Sequence, residues 1–260
     1  MHLNNISNNV IICWNKIMKR NRSASILFKA ISRNFFKIVV YYPKMVYMAF
    51  HQKKYTVDEM YAYCLKMITF AVDTAGLKVE AYGLENIPQK DGFYICSNHQ
   101  EKFDPLAIWY SFPRQVGVIL DDVACHRPYI REVCRLIKSQ KLIKHNTHSV
   151  VKAYSEITKD LKNGMNYMVF PEGGYEEEYG KLGEFHAGSF KSPQRAHCTI
   201  LPVAIIDSFC IFDKGFRTTR PIQVHYLKPI APEEYDGMTT AEISDLVKAR
   251  IQEHLDKYQK

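Results

Sequence analysis

The first 57 positions of this 260-residue chain hold no aspartate or glutamate. They carry ten of its 35 lysines and arginines, leaving the remainder close to balance at 25 basic against 27 acidic. The formal charge of +8 is therefore concentrated in an arm, and a basic arm calls for an anionic partner. A long apolar run is also missing. The best candidate, Phe35 to Phe50, is interrupted by Lys37, Pro43 and Lys44 and falls short of the roughly 20 apolar residues that a membrane span requires. The amino terminus, with Asn4, Asn5, Asn8 and Asn9, lacks the basic-then-apolar order of a secretory leader. Any contact with membrane is expected to be peripheral, at the cytoplasmic face.

The seven cysteines (Cys13, Cys64, Cys96, Cys125, Cys134, Cys198, Cys210) form no Cys-x-x-Cys pair. That pattern reads as reduced, mostly buried thiols and favours a cytosolic compartment. A zinc site from Cys125, His126 and Cys134 finds no support in their spacing. Internal repeats and low-complexity tracts are absent. No Gly-x-Ser-x-Gly elbow occurs, since Gly188-Ser189 lacks the rest of it, which disfavours a serine esterase. Nucleic-acid binding is disfavoured too: the basic residues of the arm interleave with an apolar face, and no zinc-finger or aromatic RNA-binding signature appears.

Residues 24 to 41 predict a helix in which Lys29, Arg33 and Lys37 recur every fourth position as one basic stripe. Ile26, Leu27, Phe28, Ile31, Phe35, Phe36, Ile38 and Val39 cover most of the rest, a composition suited either to a membrane interface or to packing on the chain's own domain. A helix is expected from Val57 to Thr74. Strands are expected at Leu77–Ala81, Gly92–Ser97, Gly117–Leu120, Asn166–Phe170, Ile200–Ile206 and Ile222–Tyr226. Helices fall between several of them, at Pro105–Tyr110, Pro128–Ile137 and Ser149–Lys162, and the capping box Thr239-Thr240-Ala241-Glu242 opens a last one. The alternation predicts an α/β fold, a mixed and mostly parallel sheet flanked by helices, over 57–260. Residues 1–56 are expected to form the basic amphipathic helical segment before it. Pro202, inside a strand-like run, predicts an edge or a bulge.

Chemistry concentrates in Ser97-Asn98-His99-Gln100-Glu101-Lys102-Phe103-Asp104-Pro105. Of ten histidines, only His99 has an aspartate five residues on. Asp104 precedes a proline and an apolar stretch, the pattern of a helix cap, and its carboxylate can fold back onto the imidazole. Such a contact fixes the tautomer and leaves the other ring nitrogen to take a proton from a hydroxyl. A second block, Tyr167-Met168-Val169-Phe170-Pro171-Glu172-Gly173-Gly174, ends an apolar strand in a turn where Glu172 can hold a polyol hydroxyl. A third is Leu201-Pro202-Val203.

In that order the three blocks resemble the glycerolipid acyltransferases, and most closely the 1-acylglycerol-3-phosphate acyltransferase family, over roughly Tyr82 to Pro229. The resemblance implies that His99 is a general base and Asp104 its partner. It implies that Glu172 and Gly173 help to bind the glycerol phosphate. The family's phosphate-binding arginine aligns with Lys141-Leu142-Ile143-Lys144-His145-Asn146, which points to Lys144, with Lys141 or His145 sharing the task and Lys191 a further candidate. It also implies no metal and no tightly bound cofactor. The expected donor is acyl-CoA or acyl carrier protein. The expected acceptor is lysophosphatidate, with glycerol 3-phosphate or another lysolipid as alternatives, or no turnover at all in a membrane-binding relative. The remaining partner is an anionic membrane surface.

Overall fold

The computed structural model describes residues 32, 35–143, 146–174, 182–212 and 220–258. Helix α1 (Phe35–Phe50) and helix α2 (Val57–Ala75) lead into the chain. Thr56 opens α2 with a reciprocal capping box to Glu59, and Gly76 closes it in the left-handed conformation at φ 67°. Then follow β1 (Val79–Tyr82), β2 (Tyr94–Ser97), α3 (Asp104–Ser111), β3 (Val116–Asp121), α4 (Asp122–Cys125), α5 (Ile130–Leu136), β4 (Gln140–Leu142), α6 (Thr147–Lys162), β5 (Asn166–Val169), α7 (Lys191–Ala196), β6 (Ile200–Ile206), β7 (Ile222–Tyr226) and α8 (Thr240–Leu255).

The sheet has seven strands in the order β1-β7-β6-β2-β5-β3-β4. From β6 to β4 the strands run parallel; β7 is antiparallel to β6 and parallel to β1. This is the mixed, mostly parallel α/β arrangement that the alternating pattern predicts. Its central strands are buried on both faces, so they read as unbroken apolar runs rather than as alternation. In β2, Ile95 faces a core shared with α1, α2, α3 and α5, while Tyr94 and Cys96 face a second core shared with α6 and α8.

Three expectations change. The helix predicted over 24–41 lies partly outside the described residues; its described part, α1, runs on to Phe50 with Pro43 inside it. Met45, Met48 and Ala49 are buried in the first core, and that packing outweighs the hydrogen bond lost at the proline. Pro202 lies in an interior strand, paired with Cys96 of β2. It is tolerated because the β6–β7 register ends at Val203–Tyr226, and because Pro202 directs its carbonyl, and with it the missing donor, toward Leu227 rather than toward β2. The three-residue edge strand β4 has no counterpart among the predicted strands.

Among the described residues, no helix is long and apolar enough to cross a membrane.

Candidate active site

His99, Glu172 and Ser208 each follow the carboxyl end of a strand, β2, β5 and β6 in turn. These three strands are adjacent at the middle of the sheet, so the loops after them meet at one mouth. Asn98 fastens the end of β2 to β6. Its side-chain amide donates to the Ile205 carbonyl at 3.0 Å, and its Oδ1 accepts the Ile205 amide at 2.7 Å. His99 is thereby delivered to the rim with its backbone fixed.

The His99 Nδ1 lies 2.7 Å from Asp104 Oδ2. Asp104 is fully buried, whereas 15% of the His99 side chain is exposed. The same Oδ2 accepts the amides of Gln100 at 2.6 Å and Glu101 at 2.9 Å, and Oδ1 accepts the Ser208 hydroxyl. Four donors compensate the burial of this carboxylate. The expected capping role is not what the carboxylate performs. Helix α3 starts at Asp104 itself behind Phe103, and the side chain bonds back to the loop amides instead of forward to those of the helix. Phe170 packs on the imidazole, with ring centroids 4.6 Å apart.

Glu172 joins the pair through the backbone. Its Oε1 accepts the His99 amide at 2.7 Å and its Oε2 accepts the Gly183 amide at 2.9 Å. Burial pushes its carboxyl above the ordinary range. The two amides oppose that push, and the neighbouring Asp104 charge adds to it. Gly173 turns the chain at φ 66°, and a side chain there would meet the His186 ring at 3.0 Å. Gly183 leaves room for Glu172: a Cβ at that position would sit 2.6 Å from Oε2.

The basic candidates are more scattered. Lys144 and His145 lie outside the described residues. Lys141 is exposed on β4, three strands from β2, which at strand spacing is about 14 Å across the sheet. Lys191 is exposed at the start of α7. Neither is bonded to His99, Asp104 or Glu172. Cys125 and Cys134 bring their sulfurs within 3.5 Å, but among the described residues no cluster of three or more His, Cys, Asp or Glu forms a metal site.

Sequence reasoning passed over Ser208, Gln100 and Gly183. Ser208 alone carried a usable signal, because it stands just past the carboxyl end of an interior strand. Gln100 and Gly183 act through a side-chain acceptor and through missing volume, neither of which a spacing reveals.

Residues 78–206 match the family described as Acyltransferase, a span that holds the histidine–carboxylate pair and the Pro-Glu-Gly turn. That match places the span in the acyltransferase family, and the curated proteins it resembles carry the name 1-acyl-sn-glycerol-3-phosphate acyltransferase. The 1-acyl-sn-glycerol-3-phosphate acyltransferase of Borreliella burgdorferi is 26% identical over 153 residues, covering 58% of this chain and 61% of that protein. The enzyme of that name from Limnanthes alba is 26% identical over 177 residues, covering 66% and 60%. The alpha form from Homo sapiens is 25% identical over 175 residues, with the same coverage of 66% and 60%. The matched part thus spans about three-fifths of each curated relative. The crystal structure of the 1-acyl-sn-glycerophosphate (LPA) acyltransferase from Thermotoga maritima superposes with a TM-score of 0.69 at 22% identity. It covers 92% of this chain and 98% of that one, a likeness of fold.

Proposed function

We propose that this protein transfers a fatty acyl group from a thioester, acyl-CoA or acyl carrier protein, to the free hydroxyl of lysophosphatidate, giving phosphatidate. The observation that carries the reading is the 2.7 Å contact between His99 Nδ1 and the fully buried Asp104 carboxylate. The carboxylate keeps the proton on Nδ1, so Nε2 is the basic nitrogen. As the acceptor oxygen bonds to the thioester carbonyl carbon, its proton passes to Nε2 and Asp104 stabilises the imidazolium. Collapse of the tetrahedral intermediate breaks the C–S bond, and the leaving thiolate takes the proton from Nε2, returning His99 to the neutral imidazole. An activated thioester needs no covalent enzyme intermediate. Glu172 holds the His99 backbone while this happens, and Gly173 lets the chain turn beside the acceptor. Lys144, Lys141 and Lys191 are the candidates for its phosphate, as point charges without the fork of an arginine.

Helix α1 supports a peripheral position on the cytoplasmic face of an anionic membrane, with residues 1–56 as the membrane-associating segment and 57–260 as the acyltransferase domain. Phe36 is 83% exposed and Val40 66%. Lys37 and Lys44 lie over the rings of Phe70 and Tyr63, so they flank apolar surface rather than a polar face.

The test is turnover of a thioester donor with a panel of lysolipids, with the product identified by mass. Lysophosphatidate is the expected acceptor, and His99→Ala is expected to lower the rate by about 10²–10⁴-fold. A His99→Ala protein that folds and keeps the wild-type rate overturns the mechanism.

A further inference from the structure

We propose that Ser208 is a positioning residue for the reaction, fixing the rotation of the Asp104 carboxylate that faces His99. The role rests on the acyl-transfer reading above and adds a residue to it.

Ser208 is fully buried, in a 3-10 turn that starts where β6 ends. It makes two bonds to the segment that carries the pair. Its hydroxyl donates to Asp104 Oδ1, and its backbone N–H donates to Gln100 Oε1 at 3.1 Å. The first bond matters because the two Asp104 oxygens have separate duties. Oδ2 takes His99 Nδ1 and the two loop amides; Ser208 is the donor on Oδ1. A carboxylate held on one oxygen alone can still swing about its own axis. Held on both, it presents Oδ2 to the imidazole in one orientation.

The backbone ahead of Ser208 points the same way. Asp207 occupies the left-handed region at φ 64°, which aspartate adopts more readily than most non-glycine residues. That turn lets the chain leave β6 and aim the next side chain inward at Asp104 instead of continuing along the strand.

The electrostatic consequence has a fixed sign. Before reaction the pair is neutral imidazole plus carboxylate, net −1; after it takes the acceptor's proton it is imidazolium plus carboxylate, net zero. A hydroxyl donating to the carboxylate stabilises the net −1 state more than the net-zero state. Removing that donor from a buried site moves the balance toward the net-zero state. The other carboxylates nearby, Glu172, Glu101 and Asp207, stay in place in the comparison.

The experiment uses the purified full chain with Ser208→Ala, Ser208→Cys and Ser208→Thr, followed by turnover across pH and by NMR titration of the His99 ring. Ser208→Ala is expected to lower kcat by roughly tenfold, the scale of one lost hydrogen bond. Both KM values should stay within about twofold of wild type, since the groups that touch substrate remain. Its acid limb and its His99 titration should both move to higher pH. Ser208→Cys keeps the volume with a weaker donor and should fall between, so the comparison survives if the alanine variant folds poorly. Ser208→Thr keeps the hydroxyl and should return both the rate and the acid limb toward wild type. Unchanged kcat and an unmoved limb in Ser208→Ala overturn the proposal. So does a rate loss with an unmoved limb that threonine does not repair, which is the mark of a merely structural residue. Wild-type protein that acylates nothing overturns the acyl-transfer reading instead. In that case the His99 titration still decides whether Ser208 tunes the pair.

Discussion

Glu172 Oε1 accepts the backbone amide of His99 at 2.7 Å, across 73 residues of sequence. Its other oxygen accepts Gly183, so both are engaged by the protein's own backbone. The glutamate of the Pro-Glu-Gly turn is a strut between β5 and the loop after β2. Glu172→Ala leaves two partly buried amides without acceptors, each costing about 1–3 kcal/mol. The expected result is a fall in kcat of about 10–100-fold with the acceptor KM within a few-fold of wild type. Steady-state kinetics decide it: a raised acceptor KM at unchanged kcat would make Glu172 a substrate ligand and not a strut.

The same strut can be disturbed from its far end. A methyl group on residue 183 would lie 2.6 Å from Glu172 Oε2 and 3.4 Å from its Cγ and Cδ. Gly183→Ala should therefore displace the carboxylate and lower kcat in the same direction as Glu172→Ala. Gly188→Ala meets nothing within 4 Å and serves as the neutral control. Equal rates for the two glycine variants would refute the steric argument.

Acid stability should depend on His225. It is buried at the end of β7, stacked on Tyr82 at 4.6 Å and close to His254 at 4.7 Å. Burial and the charge of His254 push its pKa down from 6.5 to about 4, and burial lowers His254 as well. Between those two values the unfolded chain binds a proton that the folded chain refuses. The stability is thus present above pH 6.5 and is lost as pH falls toward 4. His225→Gln should flatten the decline of Tm between pH 7 and pH 4, and parallel wild-type and variant curves would show that another group sets the acid limb.

Membrane association should follow the exposed apolar residues of α1. Phe36 and Val40 are largely outside the core, so changing both to serine should leave Tm unaltered. Each removes a side chain worth about 1.5–3 kcal/mol when buried in an apolar phase. Flotation with vesicles containing anionic lipid should show much weaker binding for the pair of substitutions. Undiminished binding would place the membrane contact elsewhere on the chain.

The sequence already held the pieces whose physics is local. Six strands and the helices between them follow from apolar runs and caps: Thr56 and Thr239 each sit three residues before a glutamate, and the structure builds a capping box at both. The His99–Asp104 contact was legible because five residues of chain bring the two together. What escaped depends on partners remote in sequence. β4 is too short to stand out as an apolar run and exists because β3 is there to pair with it. Pro202 reads as an edge until β7 is known to end beside it. Ser208 lies 104 positions from the carboxylate it touches, and no spacing rule spans that distance.

The loop from His99 to Asp104 also explains why its length matters. Asp104 Oδ2 gathers the His99 ring and the amides of the next two residues. The segment is a closed ring whose circumference is set by the number of peptide units between its ends. Adding or removing one residue would do more than shift the histidine: the amides would no longer converge, and the charge at the centre would lose several donors at once. The five-residue interval is therefore a ring size, and an insertion there should be far more damaging than most substitutions within it.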